Sequence, residues 1–387
     1  MGQTGSDDPS TARPPGPARR TTGAPSVSVR PLTGGDARVL DDLVAAARHD
    51  VERGWLPACQ LAVARDGELL VFETLGDVPT GTRFCIFSAT KPLVASAVWH
   101  LLADGALRLD DAIGTHVPEL SPDGIGRATV EQVLLHTSGF PHAPMYPAQG
   151  GDTAARRQRF ATWRLEWEPG SRFEYHATSA HWVLADLIER TTGADFRDAI
   201  DERVTRPLGL PRLLGRSDAD GIAPLTWVGD GAGTDGPGDL SFRWDSPEVV
   251  AAGAPGAGGV ATAADLALFY QALLHNPGGL WDTTWLADAT SHIRCTLPEP
   301  LFDVAVNRTI GLVLAGDDGL HVMRYGAFAE RNSSGSFGHA GAHVQVAWAD
   351  PETGVSFSYL TNGLDTNTMK EGARGLRLSN LAASVGR

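Results

Sequence analysis

The sequence predicts an α+β fold, an antiparallel sheet flanked by helices beside a mainly helical lobe, on three observations. A helical pattern and a tight hairpin lie near the start, and a second hairpin with a closing helix lies at the end. Between them, residues of about 88–278 hold most of the helical signal. The terminal pieces make one sheet flanked by the terminal helices, and the cleft against the helical lobe is the expected ligand site.

Residues 37–53 read as an amphipathic helix, and 59–65 with 69–73 as two strands around the turn Asp66-Gly67. From Ser88 a helix is expected, because residues 92–103 are largely apolar and contain no turn residue after Pro92, whose ring distorts the first turn. Tyr175 falls in a loop before a periodic helix over 182–189. A glycine-rich loop spans 215–259; its Gly231-Ala232-Gly233-Thr234-Asp235-Gly236 formally matches a dinucleotide fingerprint but lacks a strand-turn-helix unit, so it is read as a cleft-edge loop. Near the C-terminus, Gly335-Ser336-Phe337-Gly338-His339-Ala340-Gly341-Ala342 precedes an alternating strand over 343–349, paired with 355–360 around the turn 350–354. A closing helix begins at about Met369.

The chemistry centres on Ser88-Ala89-Thr90-Lys91. A serine and a lysine three apart at a helix start share one face, and the free N–H groups there favour an alkoxide or an oxyanion. Lys91 serves as a base only if burial or a neighbouring cation lowers its pKa, and the apolar run supplies burial.

With Phe87-Ser88-Ala89-Thr90-Lys91, Leu134-Leu135-His136-Thr137-Ser138-Gly139, Pro169-Gly170-Ser171 before Tyr175, Gly258-Gly259-Val260 and His339-Ala340-Gly341 in this order, the chain resembles the serine β-lactamase and penicillin-binding protein superfamily. The likeness is to its class C branch, the family VIII carboxylesterases and related acyltransferases, over about residues 38–380. It implies a β-lactamase/transpeptidase-like fold in one domain of residues 36–387; residues 1–35, rich in Pro, Gly, Ser, Thr and Arg, are read from their composition as a disordered tail. The likeness also implies Ser88 as acylated nucleophile, Lys91 as its proton partner and Tyr175 as proton shuttle. The backbone N–H groups of Ser88 and Ala342 would form the oxyanion hole, with His339 and Gly341 auxiliary to substrate binding.

Departures from the pattern narrow the activity. Tyr175-His176-Ala177 replaces the Tyr-x-Asn of class C β-lactamases, whose asparagine binds the antibiotic's acylamino group. His339-Ala340-Gly341 replaces Lys-Thr-Gly, exchanging a permanent cation for an imidazole largely neutral at pH 7 and weakening carboxylate recognition there. Residues 1–30 lack the apolar core of an export signal, and three cysteines without metal-type spacing fit a reducing cytoplasm. Cys85, near Ser88, is read as a small buried apolar residue. The formal charge of −14 disfavours nucleic acid and anionic membranes as partners, and no stretch approaches a membrane span of roughly 20 apolar residues. The bias toward Ala, Arg, Gly and Pro suggests a bacterial source.

Histidine spacing predicts no metal, and no cofactor is expected. His136 is read as bracing a turn beneath the site, and Trp163, Trp167, Trp227 and Trp244 as core residues or walls of an apolar pocket. The expectation is a cytoplasmic serine esterase or transacylase acting on a small-molecule ester, with water or an amine or alcohol as acceptor. A β-lactamase or D-amino-acid peptidase is the alternative, and a non-catalytic binding relative the third.

Overall fold

Six strands from the two ends of the chain form an antiparallel sheet in the computed structural model, which describes residues 1–2, 28–30, 33–121, 124–229 and 243–387. The strands in chain order are β1 (Ala58–Arg65), β2 (Glu68–Gly76), β3 (Phe84–Cys85), β4 (Thr226–Val228), β5 (Val260–Ala261), β6 (Val313–Leu314), β7 (Phe337–Gly338), β8 (Val346–Asp350), β9 (Val355–Thr361) and β10 (Gly363–Asp365). The large sheet runs β2-β1-β9-β8-β7-β6, so the two terminal hairpins meet at β1–β9. Two small pairs, antiparallel β3–β5 and parallel β4–β10, complete the strands.

Side-chain size decides what each face of the sheet packs against. Along β1, Ala58, Ala62 and Ala64 face the helical lobe, whereas Cys59, Leu61 and Val63 face the terminal helices Gly35–Glu52 and Thr368–Ala382. On β8 and β9, Ala347, Ala349 and Leu360 point to the lobe and Trp348, Phe357 and Tyr359 away from it. The small residues admit the helix Ala263–His275 closely, and Ser356 Oγ donates to Ala267 O at 2.7 Å. Both faces are therefore buried, each strand alternating between two cores.

The terminal helices and both hairpins lie where the sequence puts them, with three corrections. Residues 29–30 were expected to belong to a disordered tail, but Arg30 N donates to Leu69 O at 2.8 Å and its guanidinium pairs with Asp66 and Glu68. Residues 343–345 do not begin the strand; Gly341 and Gln345 bond reciprocally around a turn in which His343 and Val344 hold φ of 55° and 63°. The expected loop over 215–259 contains β4 and the helix Pro247–Ala252, capped by Ser246. The segment Gly231–Gly236 lies outside the described residues. Among the described residues, no helix is long and apolar enough to cross a membrane.

Candidate active site

Ser88 sits on a short 3-10 turn, Phe87–Thr90, that runs directly into the helix Lys91–Ala103. Pro92 falls at the start of that helix, where its missing N–H costs nothing, and the distortion expected from it takes the form of the tighter turn ahead of it. Phe87 holds φ at 44°, a left-handed conformation that costs an aromatic residue on the order of 1–3 kcal/mol. Packing maintains it. The Phe87 ring meets Trp244 at 6.0 Å and His343 at 5.9 Å, and Thr90 Oγ1 donates to Phe87 O at 2.6 Å while accepting from Gly259 N at 2.9 Å.

Lys91 is fully buried, and its Nζ touches three oxygens: Ser88 Oγ at 3.1 Å, Ala177 O at 2.8 Å and Gly256 O at 2.7 Å. Burial, and then the cation of Arg308, hold its pKa well below the ordinary lysine value. A neutral amine has two N–H bonds and one lone pair. Its two N–H groups satisfy the two carbonyls, and the lone pair is left facing the Ser88 hydroxyl.

Tyr175 lies in the loop before the helix Ser179–Thr192, with its ring centroid 4.9 Å from Lys91 Nζ. His136 stacks beneath it at 4.8 Å and Tyr325 lies above it at 5.0 Å. Burial pushes the phenol up to about 12, opposed by Arg308 and by the nearby Ser88 hydroxyl, so it is protonated at neutral pH. Its oxygen has no hydrogen-bond partner, a looseness common in unliganded sites.

Histidines hold this floor. His136 Nδ1 accepts from His176 N at 3.0 Å, fixing the backbone after Tyr175, and His176 Nε2 accepts from Phe140 N at 3.2 Å. His136, His181 and His339 are fully buried and held well below the ordinary imidazole value by desolvation first and neighbouring cations next. His176 is pushed down to about 4, again chiefly by burial. His339 is thus a neutral imidazole, with Nδ1 on Ala340 O at 2.8 Å and its ring 6.0 Å from Tyr175.

The turn carrying Gly341 and Ala342 abuts the serine turn. A Cβ on Gly341 would stand 2.2 Å from Ile86 O, two residues before Ser88. Among the described residues, neither Ser88 N nor Ala342 N donates to a backbone carbonyl of a turn or loop. The residues picked from the sequence are therefore neighbours: Lys91 contacts Ser88, Tyr175 lies beside Lys91 and His339, and the turn of Gly341 and Ala342 abuts that of Ser88. Trp227, 5.7 Å from His343, is partly buried, whereas Trp244, 6.0 Å from Phe87, and Trp163 are buried in the core.

Sequence reasoning missed two residues. Arg308 is buried with its Cζ 5.6 Å from the Tyr175 ring, and Tyr325 covers that ring. The signal for Arg308 was present, since it is the one charged residue in the stretch 304–314, which is apolar apart from Asn307 and Thr309 beside it. Cys85 is buried on β3, with its thiol pKa raised by desolvation, which leaves it a packing residue. Among the described residues, no group of three or more His, Cys, Asp or Glu side chains could hold a metal ion.

The family model described as Beta-lactamase matches residues 42–382. The chain is 28% identical over 346 residues to Esterase/beta-lactamase LipL of Mycobacterium tuberculosis, covering 79% of this chain and 76% of that protein. It is 32% identical over 269 residues to Esterase EstB of Burkholderia gladioli, covering 59% and 67%. The solved structure of a family VIII carboxylesterase superposes with a TM-score of 0.72 at 20% identity, covering 92% of this chain and all of that one (100%).

Proposed function

Since the chain belongs to the beta-lactamase family, we propose that it is a serine carboxylesterase that works through an acyl-enzyme formed on Ser88. The observation that carries this reading is the seating of Lys91, whose amine is desolvated and directed at the Ser88 hydroxyl by two carbonyls. Ser88 Oγ attacks the ester carbonyl as its proton passes to Lys91 Nζ. The oxyanion forms against the N–H groups of Ser88 and Ala342. Collapse breaks the carbon–oxygen bond, and the neutral Tyr175 phenol supplies the proton to the departing alkoxide, to be reprotonated from Lys91. Water, or an alcohol or amine, then enters along the same path with the roles reversed.

Ala177, whose carbonyl holds Lys91 but whose methyl cannot hydrogen-bond an acylamino group, favours esters over acylamino-bearing lactams. Trp227 and Trp244, packed against His343 and Phe87, favour transfer to an acceptor to the degree that they exclude water. The reading includes a small-molecule ester as partner, with neither nucleic acid nor membrane, and a cytoplasmic setting supported by three free, buried cysteines.

Incubation of wild type and Ser88→Ala with a panel of p-nitrophenyl esters, followed by mass spectrometry, tests it. An acyl adduct on Ser88 and turnover lost in the variant are expected. Free acid despite added amines and alcohols identifies an esterase, and acceptor-bound product a transacylase. Absence of any Ser88-dependent adduct or turnover overturns the reading.

A further inference from the structure

Arg308 is 1% exposed, and its Nε, Nη1 and Nη2 have no hydrogen-bond partner among the described residues. A guanidinium remains charged in protein interiors and carries five N–H donors, so an unpaired one is among the costliest groups to bury. Two other buried arginines are paired. Arg156, equally buried, is bonded to Asp186 at 3.2 Å, to Glu189 and to Gly150 O, and Arg324 is bonded to Asp318 and two carbonyls. Arg308 has none of this, in a chain of 46 acidic residues.

Its surroundings are rings and cations. The guanidinium carbon lies 5.6 Å from the Tyr175 ring and 6.0 Å from that of Phe173, and the groups electrostatically coupled to it are Tyr175, Cys295 and Tyr325, with no carboxylate among them. Lys91, His136, His181 and His339 also feel its charge. Around it, His136 Nε2 and His339 Nε2 are likewise without a hydrogen-bond partner. Main-chain bonds between Arg308 and Cys295 hold the stem in place, at 3.0 and 3.1 Å. Tyr325, stacked on Tyr175, is 39% exposed.

We propose that Arg308 is a substrate-binding residue for a carboxylate, so that the preferred substrate is an ester carrying a free carboxylate group beside the scissile bond. This rests on the serine-ester reading above. His339 is not a cation, and Arg308 supplies one beside Tyr175. A carboxylate on the substrate furnishes the missing acceptors for the guanidinium fork, bidentate in its best geometry. An ester of equal size without the charge leaves the guanidinium unpaired, and that difference discriminates between them.

The test compares kcat/KM for two matched pairs, which place the carboxylate in different halves of the ester. Mono-p-nitrophenyl glutarate against p-nitrophenyl valerate puts it in the acyl group, and 4-acetoxybenzoate against 4-acetoxybenzamide in the leaving group. Wild type is expected to favour the carboxylate in at least one pair by about tenfold or more, the scale of one charge-assisted hydrogen bond. Arg308→Gln is expected to abolish that preference and Arg308→Lys to restore part of it; taking the ratio within each variant cancels changes in basal rate. Inhibition of wild type by glutarate but not by glutaramide provides a measurement independent of whether the variants fold. Equal or better use of the neutral esters by wild type overturns the carboxylate site and leaves the esterase reading standing. Failure of all four esters to turn over in a Ser88-dependent way overturns both.

Discussion

Gly341→Ala tests whether the two N–H groups proposed for the oxyanion are held in register by contact between their turns. The new Cβ would sit 2.2 Å from Ile86 O and 2.9 Å from Gln345 Cβ, whereas Cβ contacts below 3.0 Å are essentially unknown. Ile86 O is a backbone atom, so it cannot rotate away. The two turns must separate by about 0.8 Å, and misplacement on the order of 1 Å costs roughly 10²-fold in rate. Ile86 lies two residues before Ser88 and Gly341 one before Ala342, so the separation passes directly to both N–H groups. Overpacking of this kind costs about 1–3 kcal/mol of stability, so thermal melts must first show that the variant is folded at the assay temperature. Steady-state hydrolysis of p-nitrophenyl acetate is then expected to show kcat reduced by roughly 10²-fold, with KM much less affected. A folded variant that keeps kcat within about threefold of wild type refutes the reasoning, since the register of the two turns would then not govern the reaction.

The remaining expectations concern the base, the buried imidazoles and the thiols. Lys91→Met keeps the volume but removes the amine, and kcat for p-nitrophenyl esters should fall by about 10²- to 10⁴-fold. In wild type, activity should rise with pH as Lys91, held below its ordinary value, gives up its proton; a Lys91→Met pH profile that keeps the same rising limb contradicts its role as base. His176 is pushed down from 6.5 to about 4, so between these values the unfolded chain takes up a proton that the folded one refuses. Stability is therefore full above about pH 6.5 and lost as pH falls toward 4, by about 3 kcal/mol from His176 alone, with His136, His181 and His339 acting in the same direction. Urea midpoints that stay flat from neutral pH into this range would contradict it. Burial pushes the Cys59 thiol up to about 12 and raises Cys85 and Cys295 as well, so a thiol reagent at mildly alkaline pH should label the native protein far more slowly than the unfolded chain.

Much of the site is local, and for that reason legible. The spacing of Ser88 and Lys91 fixes their contact within one turn, and the alternation in 59–65 and 355–360 places the strands of a sheet whose two faces are both covered. The order of short motifs along the chain gave the family, which the match over residues 42–382 bears out. Less legible was the strand expected from His343. Its alternation is real, but the reciprocal bonds between Gly341 and Gln345 close a turn there, and packing against Ile86 and Phe87 outweighs strand propensity.

By itself the sequence determined what depends on neighbours within a few residues: the serine–lysine pair, the hairpins, the helix starts, and the absence of an asparagine at Ala177 and of a lysine at His339. Only the tertiary structure decided what depends on charges brought together across the chain. Lys91 is a candidate base because carbonyls 86 and 165 residues away orient it. Arg308 becomes part of the site only when the fold sets it beside Tyr175, 133 positions earlier in the chain, and leaves it without a counter-charge. Desolvation and Coulomb interactions act through space, and their strength is set by distances and burial that no stretch of sequence contains.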